Sequence, residues 1–318
     1  MYYKDRNILV AGGAGLVGQS LVRMLLGQGA FVRATQFKAR RINFRHRNLE
    51  IVTCDLDNAD DARATFKDMD SVFLAAAMVG GAKRNVDSAS DLIMYNLHLS
   101  SKLIALAAKM KLDRCAFISS SFVYPNKLHP NIESEGFHGD PPVYGLGWVK
   151  RYLETLCNHF HMTSDTSYAI VRPTTYYGAN DNFNIDECHA VPALLAKALA
   201  RMDPFEIWGT GHEVRSFTYV DDLAEGLMLT LERYAAADPI NICTAETHTI
   251  NEAVRIILDC AGYDPKIVYR VDAPTSLSSV ISDTSKAKDL LNWEATTTFK
   301  EGIKKTWLEL TSHLKVSQ

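Results

Sequence analysis

Three glycines with the spacing GxxGxxG follow a short apolar run near the start of the chain. Gly12, Gly15 and Gly18 stand between the apolar residues 8–11 and an amphipathic stretch that begins at Leu16. In such a turn the first glycine permits a sharp bend, the second lets the backbone approach a pyrophosphate, and the third lets a helix pack close to the strand. The N-terminus of that helix offers N–H groups and a positive dipole end to an anion. The spacing therefore predicts a bound nucleotide cofactor, with a purely structural turn as the alternative.

Basic residues follow the second apolar run, at the place where dinucleotide-binding folds contact the ribose. NAD-specific folds carry an acidic residue there, which accepts hydrogen bonds from the ribose hydroxyls. This chain has Thr35 and Gln36 instead, followed by Lys38, Arg40 and Arg41. Because the acid is missing and cations are added, we expect a 2′-phosphate and hence NADP. NAD remains the alternative, with the basic residues forming a solvated loop.

Strands and helices must alternate through the first half of the chain to position these residues. The hydrophobic pattern predicts strands at 8–11, 31–35, 51–54, 71–75, 115–119 and 168–172, and helices at 16–28, 59–66, 91–109 and 144–160. Such alternation is typical of a parallel sheet with helices on both faces. The predicted fold class is therefore α/β, a Rossmann-type doubly wound sheet that binds its dinucleotide at the carboxyl ends of the strands.

The alternation loosens after about residue 173. The pattern there predicts helices and one more core strand, at 191–201, 221–234, 240–243, 250–261 and 300–314. We expect residues 1–174 to form the cofactor-binding domain, with a returning strand near 239–243, and residues 175–318 to form a smaller substrate-binding lobe. The cleft between the two is the expected ligand site.

The composition argues against several classes of function. With 47% hydrophobic and 22% charged residues, the 318-residue chain has an ordinary globular composition. A formal net charge of −3 leaves no electrostatic footprint for nucleic acid, and no apolar run approaches the ~20 residues of a membrane span. The six cysteines are scattered without CxxC pairs. We therefore expect no metal site, no disulfide framework, no nucleic-acid or membrane partner, and a cytoplasmic protein.

Several segments in a fixed order resemble the extended short-chain dehydrogenases/reductases that modify nucleotide-linked sugars. The resemblance covers nearly the whole chain and is carried by AGGAGLVG (11–18), CDL (54–56), LAAAMVGG (74–81), SSSFVYP (119–125), YGLG (144–147), RPTTYYG (172–178) and RSFTYVDDLA (215–224). Within that class the chain is most similar to the GDP-L-fucose synthases, through MVGG (78–81), DNF (181–183), HAVPALL (189–195) and WGTG (208–211). The resemblance implies a nucleotide-diphosphate sugar as substrate and a homodimer formed by the helices near 91–109 and 144–160.

The resemblance implies catalytic roles for three residues. Tyr144 matches the tyrosine that exchanges a proton with a sugar hydroxyl or ketone while nicotinamide carries hydride; alternatively it is a packed aromatic residue. Ser120 matches the serine that hydrogen-bonds the same oxygen; alternatively, it does no more than end a strand. His189 matches an acid of the epimerisation step, with a helix cap or a buried hydrogen-bonding residue as the alternatives.

Two positions depart from the family pattern. Trp148 stands where the family has a lysine four residues after the tyrosine, and Lys150 is expected to point elsewhere because it lies about 240° further around the predicted helix. Phe122 stands where fucose synthases have a cysteine base, and Cys188 is not expected to replace it because residues adjacent to His189 should point away. These departures favour reduction or epimerisation at C4 over a double epimerisation, with a catalytically degenerate NAD(P)- and nucleotide-sugar-binding protein as the alternative.

The resemblance implies the remaining candidates, apart from the glycines and the basic residues discussed above: they are contacts to the cofactor and to the sugar nucleotide. Besides the three glycines, the expected cofactor contacts are Lys38, Arg40, Asp55, Ala75 and Asn96, of which Asn96 could instead satisfy helix polar groups. The expected substrate contacts are Arg215, Trp208 and Asn182. The guanidinium fork of Arg215 suits a diphosphate, with pairing to Asp221 or Asp222 as the alternative. The base, the sugar and the direction of reaction stay open.

Overall fold

Strands and helices alternate along the computed structural model, which describes residues 1–38, 40–78, 80, 89–125, 129–141, 145–185, 187–273 and 279–316. The strands are β1 (Asn7–Ala11), β2 (Phe31–Gln36), β3 (Leu49–Thr53), β4 (Ser71–Leu74), β5 (Arg114–Ile118), β6 (Ser167–Arg172), β7 (Thr175–Tyr177), β8 (Phe205–Trp208), β9 (Val214–Arg215), β10 (Phe217–Tyr219), β11 (Ile240–Asn241), β12 (His248–Thr249), β13 (Ile267–Arg270) and β14 (Ser279–Val280). The helices are α1 (Leu16–Gly27), α2 (Ala59–Phe66), α3 (Ala89–Lys109), α4 (Leu146–Thr163), α5 (Ala190–Leu199), α6 (Val220–Arg233), α7 (Ile250–Ala261), α8 (Ser285–Leu291) and α9 (Phe299–Val316). Short 3-10 helices span Ser121–Val123 and Glu133–Phe137.

The central sheet is parallel and has the order β11-β6-β5-β4-β1-β2-β3 within the described residues. From β1 the chain moves outward through β2 to β3, then returns to the other side of β1 and continues through β4, β5 and β6. Ligands bind in open α/β sheets at such a reversal of strand order. The predicted fold class, a Rossmann-type doubly wound sheet, is confirmed.

Alternate residues of the strands enter two hydrophobic cores, because successive side chains of a strand point to opposite faces. Ile8 and Val10 of β1 pack on one face together with residues of α1 and α6. Leu9 and Ala11 pack on the other face with residues of α2, α3 and α4. Burial on both faces explains why these strands are continuous apolar runs.

Most predicted elements lie within about two residues of their observed bounds, but α4 begins later than expected. The prediction started this helix at residue 144, whereas it begins at Leu146. Gly145 precedes it with a φ of 69°, and an added Cβ there would lie 2.5 Å from Cδ1 of Ile93. The left-handed backbone at residue 145 favours glycine, and angular positions on α4 have to be counted from Leu146.

The second half of the chain adds small sheets above the carboxyl ends of the central strands. Strand β7 pairs with β10, β8 with β13, and β9 with β12 and β14. The first of these includes Thr175–Tyr177, a strand that the sequence analysis did not predict. None of the described helices combines the length and apolarity needed to cross a membrane.

Candidate active site

A single cleft of about 710 Å³ collects residues from the carboxyl ends of β1 to β6 and from the second half of the chain. This volume is in the usual range for small-molecule and cofactor sites. The sequence-predicted residues that line it are Gly12, Gly15, Arg40, Asp55, Ala75, Asn96, Ser120, Asn182, His189, Trp208 and Arg215. Gly18 and Lys38 are not among its lining residues, and Tyr144 lies outside the described residues.

The glycine turn forms a cradle at the N-terminus of α1. Gly12 has a φ of 91°, and an added Cβ would lie 2.5 Å from the backbone nitrogen of Ala76. A Cβ on Gly18 would approach the Gly12 carbonyl oxygen to 2.1 Å, so the third glycine serves packing. Helix α1 has neither a side-chain cap nor an acidic residue in its first turn, which leaves its positive end to an anion. The residues therefore fit a dinucleotide pyrophosphate.

The basic residues after β2 are divided between the cleft and the surrounding surface. Arg40 lines the cleft. The Lys38 ammonium instead lies 5.1 Å from the centroid of the Phe37 ring, and the Arg41 guanidinium donates to backbone carbonyls of its own loop. Of the basic residues expected to meet a 2′-phosphate, Arg40 is the one that the structure brings to the cleft.

Asn96 borders the cleft but its side chain is already engaged. Its Oδ1 accepts the N–H of Met78 at 3.0 Å, and its Nδ2 donates to the carbonyls of Met78 and Leu92 at 2.8 Å each. The side chain is buried. Asn96 thus ties the backbone after β4 to α3, which agrees with the alternative that it satisfies backbone polar groups.

Ser120 lies just beyond the end of β5. Its Oγ accepts the N–H of Phe122 at 3.1 Å and so caps the short helix Ser121–Val123. The hydroxyl hydrogen is not used in that bond and can be donated to a substrate oxygen. Phe122 lines the cleft as well, and its ring offers no group that exchanges protons.

Lys150 lies in the cleft, so the expectation that it points elsewhere is wrong. It stands one turn after Leu146 on the same face of α4, and both residues line the cleft. The Nζ atom donates to the carbonyl of Ile118 at 2.8 Å and lies 4.9 Å from the centroid of the Phe117 ring. Burial lowers the pKa of Lys150 to about 8, and the nearby Glu154 carboxylate opposes that decrease.

Trp148 lies outside the cleft. Its side chain is 55% exposed, and the Arg151 guanidinium carbon lies 5.2 Å from its ring centroid. Trp148 therefore neither blocks the cleft nor stands in for its cation. Sequence reasoning missed Lys150 because the helical phase was counted from residue 144; the glycines at 145 and 147 were the available signal that the helix starts later.

His189 directly precedes α5 and faces the cleft. It is the N-cap residue of α5, as the helix-cap alternative has it, but its side chain makes no capping hydrogen bond. Burial raises the pKa of Asp181, and the charge of His189 opposes this rise. One oxygen of Asp181 accepts the N–H of Asn182 at 2.7 Å, while the other is buried without a hydrogen-bond partner among the described residues. Cys188 also lines the cleft, next to His189.

A pair of buried cations borders the part of the cleft built by the second half of the chain. Arg215 and Lys197 are each 6% exposed. Burial lowers the pKa of Arg215 to about 10, so it stays charged at neutral pH. The Lys197 Nζ donates to the carbonyl of Glu206 at 2.7 Å and lies 5.9 Å from the centroid of the Trp208 ring. Sequence reasoning missed Lys197. The available signal was a lone cation in the apolar run AVPALLAKAL (190–199).

The alternative pairing proposed for Arg215 is wrong, because both carboxylates are engaged elsewhere. Asp221 accepts a hydrogen bond from Ser20. Asp222 accepts from the backbone N–H groups of Thr296 and Thr297 at 3.3 and 3.1 Å.

One known protein family matches the part of the chain that contains the glycine cradle, the strand ends and the two buried cations. A model of the NAD dependent epimerase/dehydratase family matches residues 8–243, from the first strand of the central sheet through β11. The chain belongs to this family. The resemblance expected from the sequence motifs is confirmed.

Individual members of the family are similar over nearly the whole chain. A putative GDP-L-fucose synthase 2 from Arabidopsis thaliana is 29% identical over 317 residues, which are 96% of this chain and 92% of the relative. GDP-mannose 3,5-epimerase 1 from Oryza sativa subsp. indica is 29% identical over 312 residues, 95% of this chain and 80% of the relative. The fold matches a UDP-glucose 4-epimerase from Thermotoga maritima, solved with UDP-glucose, with a TM-score of 0.87 at 24% identity, covering 97% of this chain and 99% of that one.

Proposed function

We propose that this protein is an NADP-dependent enzyme that reduces or epimerises a nucleotide-diphosphate sugar at C4. The observation that carries the proposal is that one cleft joins the glycine cradle, Ser120 with Lys150, and the buried cations Lys197 and Arg215. Similarity to GDP-L-fucose synthases and a GDP-mannose epimerase supports a GDP-type sugar. NAD is the alternative cofactor.

The cofactor would be held by the glycine turn and by two cations. The backbone at Gly12 and the N-terminus of α1 would bind the pyrophosphate, and Arg40 would pair with the 2′-phosphate of NADP. The Lys150 ammonium, which hydrogen-bonds the end of β5, would donate to the nicotinamide ribose. When bound, the nicotinamide would exchange hydride with the sugar carbon.

The sugar oxygen would be handled by the residues after β5. Ser120 would donate its hydroxyl hydrogen to the C4 oxygen, since its Oγ already accepts a backbone N–H. In a reduction the C4 carbon gains hydride and its oxygen gains one proton, for which we propose Tyr144 as the donor. Phe122 supplies no second base, so reduction or epimerisation at C4 is favoured over a double epimerisation. His189 would be an auxiliary acid beside Asp181.

The nucleotide-diphosphate would lie against Arg215 and Lys197. A guanidinium can bind two phosphate oxygens at once, and an ammonium adds a point charge. Trp208 would pack on the substrate from the same wall, and Asn182 would hold the loop above it through the N–H of Asn184 at 3.1 Å. In this scheme residues 1–174 bind the cofactor and residues 175–318 bind the substrate.

A cytoplasmic homodimer formed through α3 and α4 completes the proposal. These two helices pack side by side, and they carry large exposed apolar side chains. Met94 is 63% exposed, Trp148 55% and Tyr152 56%. Clusters of exposed apolar side chains are typical of protein–protein contacts.

A binding protein with degenerate catalysis is the second candidate, and one observation favours it. Leu146 stands one helical turn before the cleft lysine and lines the cleft beside it. The resemblance places the catalytic tyrosine four residues before a lysine, so an apolar residue occupies that place when the count starts from Lys150. A protein of this kind would bind NADPH and nucleotide sugars without turnover.

Hydride transfer to a panel of 4-keto nucleotide sugars with GDP and UDP bases separates the two candidates. The enzyme proposal expects NADPH oxidation with at least one GDP-linked ketone. It also expects that Tyr144→Phe loses turnover while NADPH binding, followed by fluorescence, stays at the wild-type level. NADPH and nucleotide-sugar binding without turnover across the panel would favour the second candidate. Unchanged turnover in Tyr144→Phe would remove the tyrosine from the mechanism.

A further inference from the structure

A buried ion pair lies directly behind the cleft wall formed by β5 and α4. Glu154 is 2% exposed and Arg172 is 1% exposed. Arg172 donates from Nε to one carboxylate oxygen at 2.9 Å and from NH2 to the other at 2.6 Å. This two-point geometry fixes both side chains, and removing either partner would leave a buried charge.

The pair is connected to the catalytic segment after β5. Ser119, which precedes Ser120, donates its hydroxyl hydrogen to Glu154. On the far side, Arg172 donates from NH1 to the Tyr124 hydroxyl at 3.0 Å, and that hydroxyl donates to Asn241 at 2.6 Å. The backbone around Ser120 is therefore held from behind by a hydrogen-bonded network whose centre is the Glu154 carboxylate.

Glu154 stands four residues after Lys150 on α4, so the two residues lie on the same side of the helix, and the charge of Glu154 acts on Lys150. From β5, Lys150 meets the Phe117 ring and the Ile118 carbonyl. Among the described residues, the titratable groups that act on the pKa of Lys150 are Glu154 and Cys157.

Of these two groups, Glu154 is the one whose negative charge acts on Lys150 at neutral pH. Burial raises the pKa of Cys157 well above its ordinary value, so that thiol is neutral. Burial lowers the pKa of Lys150 to about 8 even with Glu154 beside it. From β6, Arg172 contributes its charge through the bidentate pair with Glu154. The protonated fraction of Lys150 near neutral pH therefore depends on the charge of Glu154.

We propose that Glu154 is a positioning residue that keeps Lys150 protonated for cofactor binding while it anchors the Ser119–Ser120 segment. This inference rests on the proposed function, because it takes Lys150 as the cation that contacts the cofactor. Glu154 acts through Lys150 and Ser119, since it is not among the residues that line the cleft.

The test compares the pH dependence of two measurements in wild type and in Glu154→Gln, which keeps the side-chain size and one oxygen acceptor. The first is NADPH affinity by fluorescence, and the second is the rate at which an amine-selective reagent labels Lys150, read by peptide mass spectrometry. In the wild type we expect NADPH affinity to fall, and labelling to rise, as the pH passes through about 8. In Glu154→Gln both midpoints move down by at least about one pH unit, since an adjacent opposite charge has that much effect. Unchanged midpoints in a folded Glu154→Gln protein would overturn the inference.

Two further variants keep the test informative if Glu154→Gln does not fold. The double variant Glu154→Gln/Arg172→Gln removes both buried charges; because the charge of Arg172 opposes that of Glu154, its midpoints are expected to move down by less than those of Glu154→Gln, and midpoints above the wild-type value would overturn the inference. Ser119→Ala is the matched control, because it removes one hydrogen bond to Glu154 and keeps the charge. Its midpoints should stay at the wild-type value, and a movement equal to that of Glu154→Gln would show that packing, not charge, is responsible.

Lys150→Met separates failure of the inference from failure of the proposed function. If Lys150→Met binds NADPH with wild-type affinity and pH dependence, Lys150 does not contact the cofactor and that part of the proposed function fails. If Lys150→Met weakens binding while the Glu154 variants leave both midpoints in place, only the role of Glu154 is lost.

Discussion

Replacement of Lys150 by methionine should stabilise the cofactor-free protein at neutral pH. Burial lowers the pKa of Lys150 from 10.5 to about 8, and at about 1.36 kcal/mol per pH unit this corresponds to about 3 kcal/mol against the folded, charged state. Because Lys150 borders the cleft and is only partly buried as a whole residue, solvent reduces this to about 2 kcal/mol. Methionine also loses the hydrogen bond to the Ile118 carbonyl, at a cost of about 1 kcal/mol. The expected net gain is about 1 kcal/mol.

The stability that Lys150→Met gains over wild type should decrease as the pH rises through the pKa of the folded protein. Below about pH 8 the lysine is charged in both folded and unfolded states, so wild type carries the full cost of burying the charge. Between about 8 and 10.5 the folded state loses the proton first, and the wild-type free energy of unfolding rises relative to the variant. Above 10.5 the lysine is neutral in both states and the charge-related part of the difference disappears.

Urea unfolding of the cofactor-free proteins at neutral and alkaline pH measures this difference. Cofactor has to be removed, because a ligand that binds only the folded state would stabilise wild type by mass action. Lys288→Met is the matched control: its ammonium pairs with Glu294 at 3.2 Å and both side chains are about 60% exposed, so we expect a change below about 0.5 kcal/mol. A Lys150→Met protein that is less stable than wild type by the same amount at both pH values would refute the reasoning.

Four further variants, the first with a matched control, test individual contacts. Arg40→Ala should raise the dissociation constant for NADPH about tenfold and leave that for NADH unchanged, because it removes a charge-assisted bond to the 2′-phosphate; Lys38→Ala should change neither, and equal losses for both cofactors by calorimetry would contradict the assignment. Arg215→Ala should weaken binding of a GDP-sugar by at least about tenfold with NADPH affinity retained, since a buried guanidinium is lost; GDP-sugar binding at wild-type strength would argue against a diphosphate contact. Trp148→Glu should shift the protein from dimer to monomer in analytical ultracentrifugation, because it places a charge in the proposed apolar contact, whereas an unaltered dimer would point to another interface. Asn96→Ala should lower the free energy of unfolding by about 2 kcal/mol, since three backbone groups lose their partner; a loss under about 0.5 kcal/mol would mean that water replaces the amide.

The sequence predicts most of the fold because local signals agree with one another along the first half of the chain. The glycine turn, the apolar strands and the amphipathic helices each mark their own boundaries, and helices 59–66 and 250–261 were predicted at both ends. The small sheets of the second half were not predicted, because strands of two to four residues such as Val214–Arg215 carry no periodicity. Their register depends on partners that are far away in the chain.

Some residues of the candidate site could likewise be predicted from the sequence, and others only from the structure. The glycine spacing and the basic residues after β2 could be read from residue types alone, because their chemistry is visible in the residue itself, whereas Arg215 was found through the family resemblance. Which of the basic residues reaches the cleft could not be read this way, because it depends on how the loop after β2 packs. Lys197 and Glu154 were also missed, since a buried charge becomes significant only when its partners are known.

By itself the sequence determined the nucleotide-binding turn, the doubly wound sheet and the family, because these follow from short-range spacing and strand–helix alternation. Only the tertiary structure decided which residue of α4 brings a cation to the cleft. The left-handed Gly145 delays α4 until Leu146, and this rotation brings Lys150 into the cleft and leaves Trp148 on the surface. The physical reason is that a helix starting two residues later presents a different face, and the contact between residue 145 and Ile93 exists only in the folded chain.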